Sequence, residues 1–143
     1  EKIDGVIITP LKQILSPLGD VMHGIKKADP GYVGFEEAYF STINFGSIKA
    51  WKKHQKMTLN LIVPVGKIRF VLYDNRPDSP THEVFSEVTL SRENYYRLTI
   101  PPNIWLAFKG EDEAMNLLLN CADMEHDPDE IDRKDLKSID YRW

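Results

Sequence analysis

Apolar side chains recur at every second position through Met57, Leu59, Leu61, Val63 and Val65, and again after Gly66 at Ile68, Phe70 and Leu72. A period of two is the pattern of a strand that buries one face, and a helix cannot keep such residues on one side. Gly66 between the two runs predicts a hairpin turning at Val65-Gly66-Lys67. Shorter alternations follow through Phe85, Val88 and Leu90, through Leu98 and Ile100, through Trp105 and Phe108, and from Met115 to Cys121. Gly, Pro, Asn and Asp separate them at intervals of roughly eight to twelve residues, so about seven to nine strands are expected. Asp74 to Pro80 has the composition of an exposed loop, and Pro101-Pro102-Asn103 forces a turn. From Asp123 the chain becomes charged, and Asp127-Pro128-Asp129-Glu130 reads as a capped helical turn in a short helical C-terminal tail at the surface. The expectation is an all-β fold of antiparallel strands, with sandwich, small barrel and jelly roll all open. Each must manage exposed strand edges, and pairing into a dimer is one solution.

The 143 residues suit a single domain, 1–143. With 18 Lys and Arg against 22 Asp and Glu, the net charge of −4 offers no basic excess for nucleic acid. Apolar stretches such as Leu61 to Val65 fall far short of the about 20 residues a membrane helix needs, and no signal peptide is visible. The single cysteine, Cys121, cannot form an internal disulfide, which points to a reducing cytoplasm. Cys121 follows Leu117-Leu118-Leu119-Asn120, so it reads as a buried structural thiol rather than a nucleophile.

The densest polar cluster is Lys49-Ala50-Trp51-Lys52-Lys53-His54-Gln55-Lys56, followed by Thr58 and Asn60. Strand alternation, uninterrupted by a bulge, would put Lys52, His54, Thr58 and Asn60 on one face. Such a wall inside a β cup suits an anionic sugar phosphate or nucleotide, whereas the same lysines on a solvated edge strand would only discourage aggregation. A metal-dependent β cup needs closely spaced histidines, but His23, His54, His82 and His126 are scattered, so no metal and no cofactor is expected. Neither a Gly-rich phosphate loop nor a nucleophile elbow occurs.

Three segments, Phe40-Ser41-Thr42-Ile43-Asn44, Gly46-Ser47-Ile48-Lys49-Ala50-Trp51 and Gly66 to Asp74, resemble in order and spacing the central strands of the dTDP-4-dehydrorhamnose 3,5-epimerase family. Pro101-Pro102-Asn103-Ile104-Trp105-Leu106-Ala107-Phe108 resembles that family's Pro-Pro-x-Phe-Ala-His-Gly-Phe strand. Cys121-Ala122-Asp123 with Asp127-Pro128-Asp129-Glu130 resembles its Cys-Thr-Asp and Pro-Glu segment. The similarity runs from about Gly5 to Trp143. It implies a cupin jelly roll, a homodimer, and metal-independent proton abstraction beside the 4-keto group of a dTDP-4-keto-6-deoxyhexose-like sugar, in surface-polysaccharide biosynthesis such as that of lipopolysaccharide.

In that family a histidine removes a proton and a tyrosine on the opposite side of the sugar returns one. Aligned on the family's Arg-Gly-Leu-His motif, Lys49 keeps the cationic position while Lys52 stands where the base is expected, with His54 as a substitute base on the same face. The second histidine of the family falls on Leu106, the tyrosine falls near Met124 and Glu125, and the aspartate that orients the base has no counterpart. The resemblance therefore implies Lys52, His54 and Glu125 as the acid/base set. Asn44, Lys49 and Glu130 would be substrate-binding, with His23 reaching the nucleotide from the N-terminal strand. Thr58 and Asn60 complete the wall, and Trp105, like Tyr39 and Trp51, either stacks on the ligand or belongs to the core. Two readings follow: a nucleotide-sugar 3,5-epimerase or isomerase, or a non-catalytic cupin that binds a nucleotide sugar or carbohydrate.

Overall fold

The computed structural model describes residues 2–143. Its strands are β1 (Ile7–Pro10), β2 (Gln13–Ile14), β3 (Val21–Met22), β4 (Glu37–Thr42), β5 (Ile48–His54), β6 (Leu59–Val65), β7 (Lys67–Tyr73), β8 (Phe85–Ser91), β9 (Tyr96–Ile100), β10 (Trp105–Gly110), β11 (Leu117–Ala122) and β12 (Ile131–Arg133). Two five-stranded sheets, ordered β1-β9-β6-β11-β4 and β12-β5-β10-β7-β8, carry ten of these, and β2 with β3 forms a separate ribbon. Every strand pairing in the sheets is antiparallel, as the sequence predicted. The strand count exceeds the expected seven to nine because β2, β3 and β12, two or three residues long, are too short to show a period.

Leu59, Leu61 and Val63 of β6 meet Ile68, Phe70 and Leu72 of β7 and Leu106 of β10 in the core between the sheets. Each such fully buried side chain contributes about 1.5–3 kcal/mol. The predicted hairpin at Val65-Gly66-Lys67 is not one: β6 and β7 lie in different sheets, so the chain turns a corner there. Gly66 has φ +84°, and a Cβ on it would stand 2.1 Å from the Met115 carbonyl oxygen. Only glycine fits this corner, where Asn116 binds the Lys67 amide at 2.9 Å and the Ile43 carbonyl at 3.1 Å.

The C-terminal segment is also corrected. The capped turn expected at Asp127 to Glu130 is present, as a 3-10 turn over Pro128–Glu130 with the Asp127 carboxylate as its cap, but no helical tail follows it: β12 runs beside β5, and a second 3-10 turn occupies Leu136–Ser138. Ile139, Tyr141 and Trp143 then pack on the outer face of the second sheet against Trp51, Val71, Trp105 and Ala107. That apolar face needs a cover, and the last residues of the chain supply it.

Candidate functional site

Between the two sheets lies a cavity of about 380 Å³. One wall comes from the first sheet, with Tyr39 and Ser41 of β4, Leu59 and Leu61 of β6, and Leu118 and Asn120 of β11. Lys49, Lys52 and His54 of β5, Leu106 and Phe108 of β10, and Arg133 of β12 form the other.

Lys49 and Lys52 are three residues apart, a spacing that a regular strand would send to opposite faces. They share the cavity because β5 bulges against β10: Lys52 pairs with Leu106 and Lys49 with Phe108, so three steps on β5 match two on β10. The extra residue falls at Ala50-Trp51 and resets the alternation, turning both lysines inward and leaving Trp51 on the outer face. Beyond the bulge the regular period carries Lys52 and His54 inward and Lys53 outward, where its ammonium lies 5.0 Å from the Trp105 ring centre.

His54 is buried and its Nδ1 lies 2.5 Å from Oε2 of Glu130, itself only 1% exposed. The other Glu130 oxygen accepts the Lys56 and Met57 amides at 3.1 and 3.0 Å. Burial works against ionisation of Glu130, but the Met57 amide, the His54 ring and the Lys56 amide together hold its carboxyl below the usual range. An ionised Glu130 can only accept, so Nδ1 of His54 carries the proton and Nε2 keeps its lone pair. Burial lowers the His54 pKa despite the Glu130 contact, so the ring is neutral near pH 7 and able to take a proton.

Lys52 is held below the ordinary lysine range by burial and then by Arg133 and Lys49. Arg133 is its direct cross-strand partner. Like charges opposite one another on one face are unfavourable, and neither residue forms an ion pair among the described residues. Lys49 donates to the Thr42 carbonyl at 2.8 Å and lies 5.9 Å from the Phe108 ring centre. The cavity thus offers three cationic groups to an anion and a neutral imidazole base to a weakly acidic C–H.

Of the residues singled out in the sequence, Tyr39, Lys49, Lys52, His54 and Glu130 come together here, Glu130 as the partner of the base rather than a ligand contact. The others lie elsewhere. Asn60 shares no face with Lys52, because β5 and β6 belong to different sheets and the irregular stretch between them breaks the alternation. It sits instead on the outer side of the first sheet, bound to Arg97, Thr99 and the Gly31 carbonyl. Thr58 precedes β6 and its amide donates to Asp123 at 2.8 Å. Trp105 packs in the outer aromatic layer, its alternation opposite to that of Leu106. His23 lines a separate cleft with Lys12 and Asp29, Asn44 is exposed in the β4–β5 connection, and Glu125 is exposed with its amide on Glu36. Sequence reasoning missed Arg133 and Asn120, whose positions are set by pairings across the fold and which carry no local signal.

No family model matches the chain. It is 32% identical over 100 residues, 66% of its own length, to the probable low-salt glycan biosynthesis epimerase Agl13 of Haloferax volcanii, and the match spans 64% of that protein, a little under two thirds. It is 26% identical over 145 residues to the spore coat polysaccharide biosynthesis protein SpsL of Bacillus subtilis, covering 99% of this chain and 96% of the relative. Among solved structures, a dTDP sugar isomerase from Desulfovibrio desulfuricans superposes with a TM-score of 0.92 at 38% identity, over 95% of this chain and 87% of that one.

Proposed function

Because the chain belongs to the dTDP-4-dehydrorhamnose 3,5-epimerase-like family of nucleotide-sugar epimerases and isomerases, we propose that it epimerises or isomerises a dTDP-linked 4-keto-6-deoxy sugar for polysaccharide biosynthesis. The observation that carries this reading is the neutral His54, oriented by Glu130, beside an unpaired cationic cluster in one cavity. Nε2 of His54 removes the proton on the carbon next to the ketone. Lys52, two residues along the same strand face, stabilises the negative charge that develops on the enolate oxygen. Lys49 and Arg133 at the cavity mouth hold the diphosphate. Proton transfer of this kind requires no metal, and the scaffold supplies base, electrostatic stabilisation and anchor from its own side chains.

The reading extends to residues 1–143 acting as one domain and to a homodimer, supported by Phe40 on an edge strand and Leu18 beside the β2–β3 ribbon, which stand 65% and 99% exposed. It places the protein in the cytoplasm, supported by the single cysteine. Among the described residues, no helix is long and apolar enough to cross a membrane.

The test is deuterium incorporation from D₂O into dTDP-4-keto-6-deoxyglucose, followed by NMR. The protein is expected to wash solvent deuterium into the position next to the ketone, and His54→Gln to lower that rate by at least about 100-fold, the lower bound for loss of a positioned base. If the unmodified protein exchanges nothing with a panel of dTDP-, UDP-, GDP- and CDP-linked 4-keto sugars, the assignment fails.

A further inference from the structure

Inversion at a carbon requires a proton to leave from one side and return to the other, so a single base cannot complete it. His54 stands on the wall formed by the second sheet. On the facing wall, the polar groups are Tyr39, Ser41 and Asn120. Asn120 is 2% exposed and its orientation is fixed: its Oδ1 accepts the backbone amide of Asn60 at 3.0 Å, which forces its Nδ2 toward the Tyr39 hydroxyl, also at 3.0 Å. An amide nitrogen can only donate. The phenolic oxygen of Tyr39 therefore receives a hydrogen bond from Asn120, and its own proton is left free to be given away. No other side chain among the described residues takes that proton.

We propose that Tyr39 is the catalytic acid that protonates the enolate from the side opposite His54, with Asn120 as its positioning residue, and that the reaction is consequently an inversion rather than a same-face ketone shift. The inference rests on the functional reading above and deepens it. In the step, His54 Nε2 accepts the proton from the carbon next to the ketone, giving the enolate. The Tyr39 O–H bond breaks, its proton forms the new C–H bond on the opposite face, and the phenolate recovers a proton from water while the imidazolium releases one. Neither oxidant nor reductant is required. The tyrosine that the family places near Met124 and Glu125 is thereby replaced from a different strand, since β4 runs beside β11 and Tyr39 is the register partner of Asn120.

The experiment separates exchange from inversion in D₂O, using the full chain and dTDP-4-keto-6-deoxyglucose. Tyr39→Phe keeps the ring and loses only the hydroxyl. It is expected to retain wash-in of deuterium with unchanged configuration, within about tenfold of the parent rate, while epimer formation falls by at least about 100-fold. Asn120→Asp would present an acceptor in place of the donor, draw the Tyr39 proton away from the cavity, and give the same split between exchange and inversion, which a merely structural role would not produce. Parallel loss of exchange and inversion in both variants, or undiminished inversion in Tyr39→Phe, would overturn the assignment. Exchange without any inversion in the parent protein overturns this inference while leaving the enolisation chemistry standing; absence of exchange in the parent overturns both.

Discussion

Strands β5 and β12 form one short antiparallel ribbon whose two faces follow opposite electrostatic rules. Outward, Lys53 and Asp132 are cross-strand partners of opposite sign, 3.5 Å apart. Inward, at the next register position, Lys52 faces Arg133, two cations with no carboxylate between them. The backbone pairing is the same, so the difference lies in what each face is for. The outer face is complete in itself, whereas the inner face places charge where only a ligand can balance it. A like-charge pair of this kind costs stability in the free protein and is explained by the anion it awaits. Adjacent lysines in the sequence, Lys52 and Lys53, thus have unrelated roles.

The comparison is broken most severely at Glu130. In Glu130→Gln the amide oxygen can still accept the Lys56 and Met57 amides, which turns its NH₂ toward His54 and reverses the tautomer, so that Nε2 carries the proton and has no lone pair for the substrate. Deuterium exchange should fall by about 10³–10⁴, the scale seen when a base is held in the wrong tautomer. In the unmodified protein, exchange should rise with pH along an acid limb whose midpoint lies below the ordinary histidine value of about 6.5, because burial depresses the His54 pKa. The folded-state pKa values of His54 and Glu130 are both lowered, so their contributions to stability are present above the unfolded values and are lost as pH falls through the folded ones. A midpoint at or above that ordinary value would contradict the assignment of a buried, neutral His54 as the base.

Arg133→Met, on the inner face, should weaken binding of dTDP by about tenfold, corresponding to one charge-assisted contact of about 1.4 kcal/mol, and leave thermal stability unchanged or slightly raised because a repulsion is relieved. Titration calorimetry and a melting curve read the two effects separately. A fall in stability without a change in affinity would mean that Arg133 serves the fold instead. The smallest effect is expected on the outer face. Asp132→Ala removes a partly exposed ion pair and should lower stability by less than about 0.5 kcal/mol, with dTDP affinity untouched. A large loss there would mean that the two faces are not independent.

Much of this fold could be read in the sequence, since the strands from β6 to β11 announce themselves by alternation and turn residues. The side chains of β5 from Lys52 to His54 follow the same rule. What alternation cannot reveal is which sheet a strand joins. Gly66 makes a corner between sheets with the residue that would also make a hairpin, and alternation alone sends Asn60 to the face of Lys52 although its strand belongs to the other sheet. The bulge at Ala50-Trp51 carries no glycine or proline to mark it, although it decides that Lys49 faces inward. Glu130 reads locally as part of a capped turn, and its function as the partner of the base depends on a contact 76 residues away. Tyr39 is one aromatic among several until Asn120, from another strand, defines the direction of its hydroxyl.

That 76-residue separation also sets an order of events. A ribosome adding about 5–20 residues per second completes Glu130 roughly 4–15 s after His54, by which time β5 through β11 have been synthesised and can begin to pair. Throughout that interval the imidazole has no carboxylate to choose its tautomer, and Arg133 has yet to reach the cavity mouth. The growing chain can therefore assemble most of its two sheets before the imidazole is held in one tautomer, which happens only when the turn at Pro128–Glu130 closes over β5.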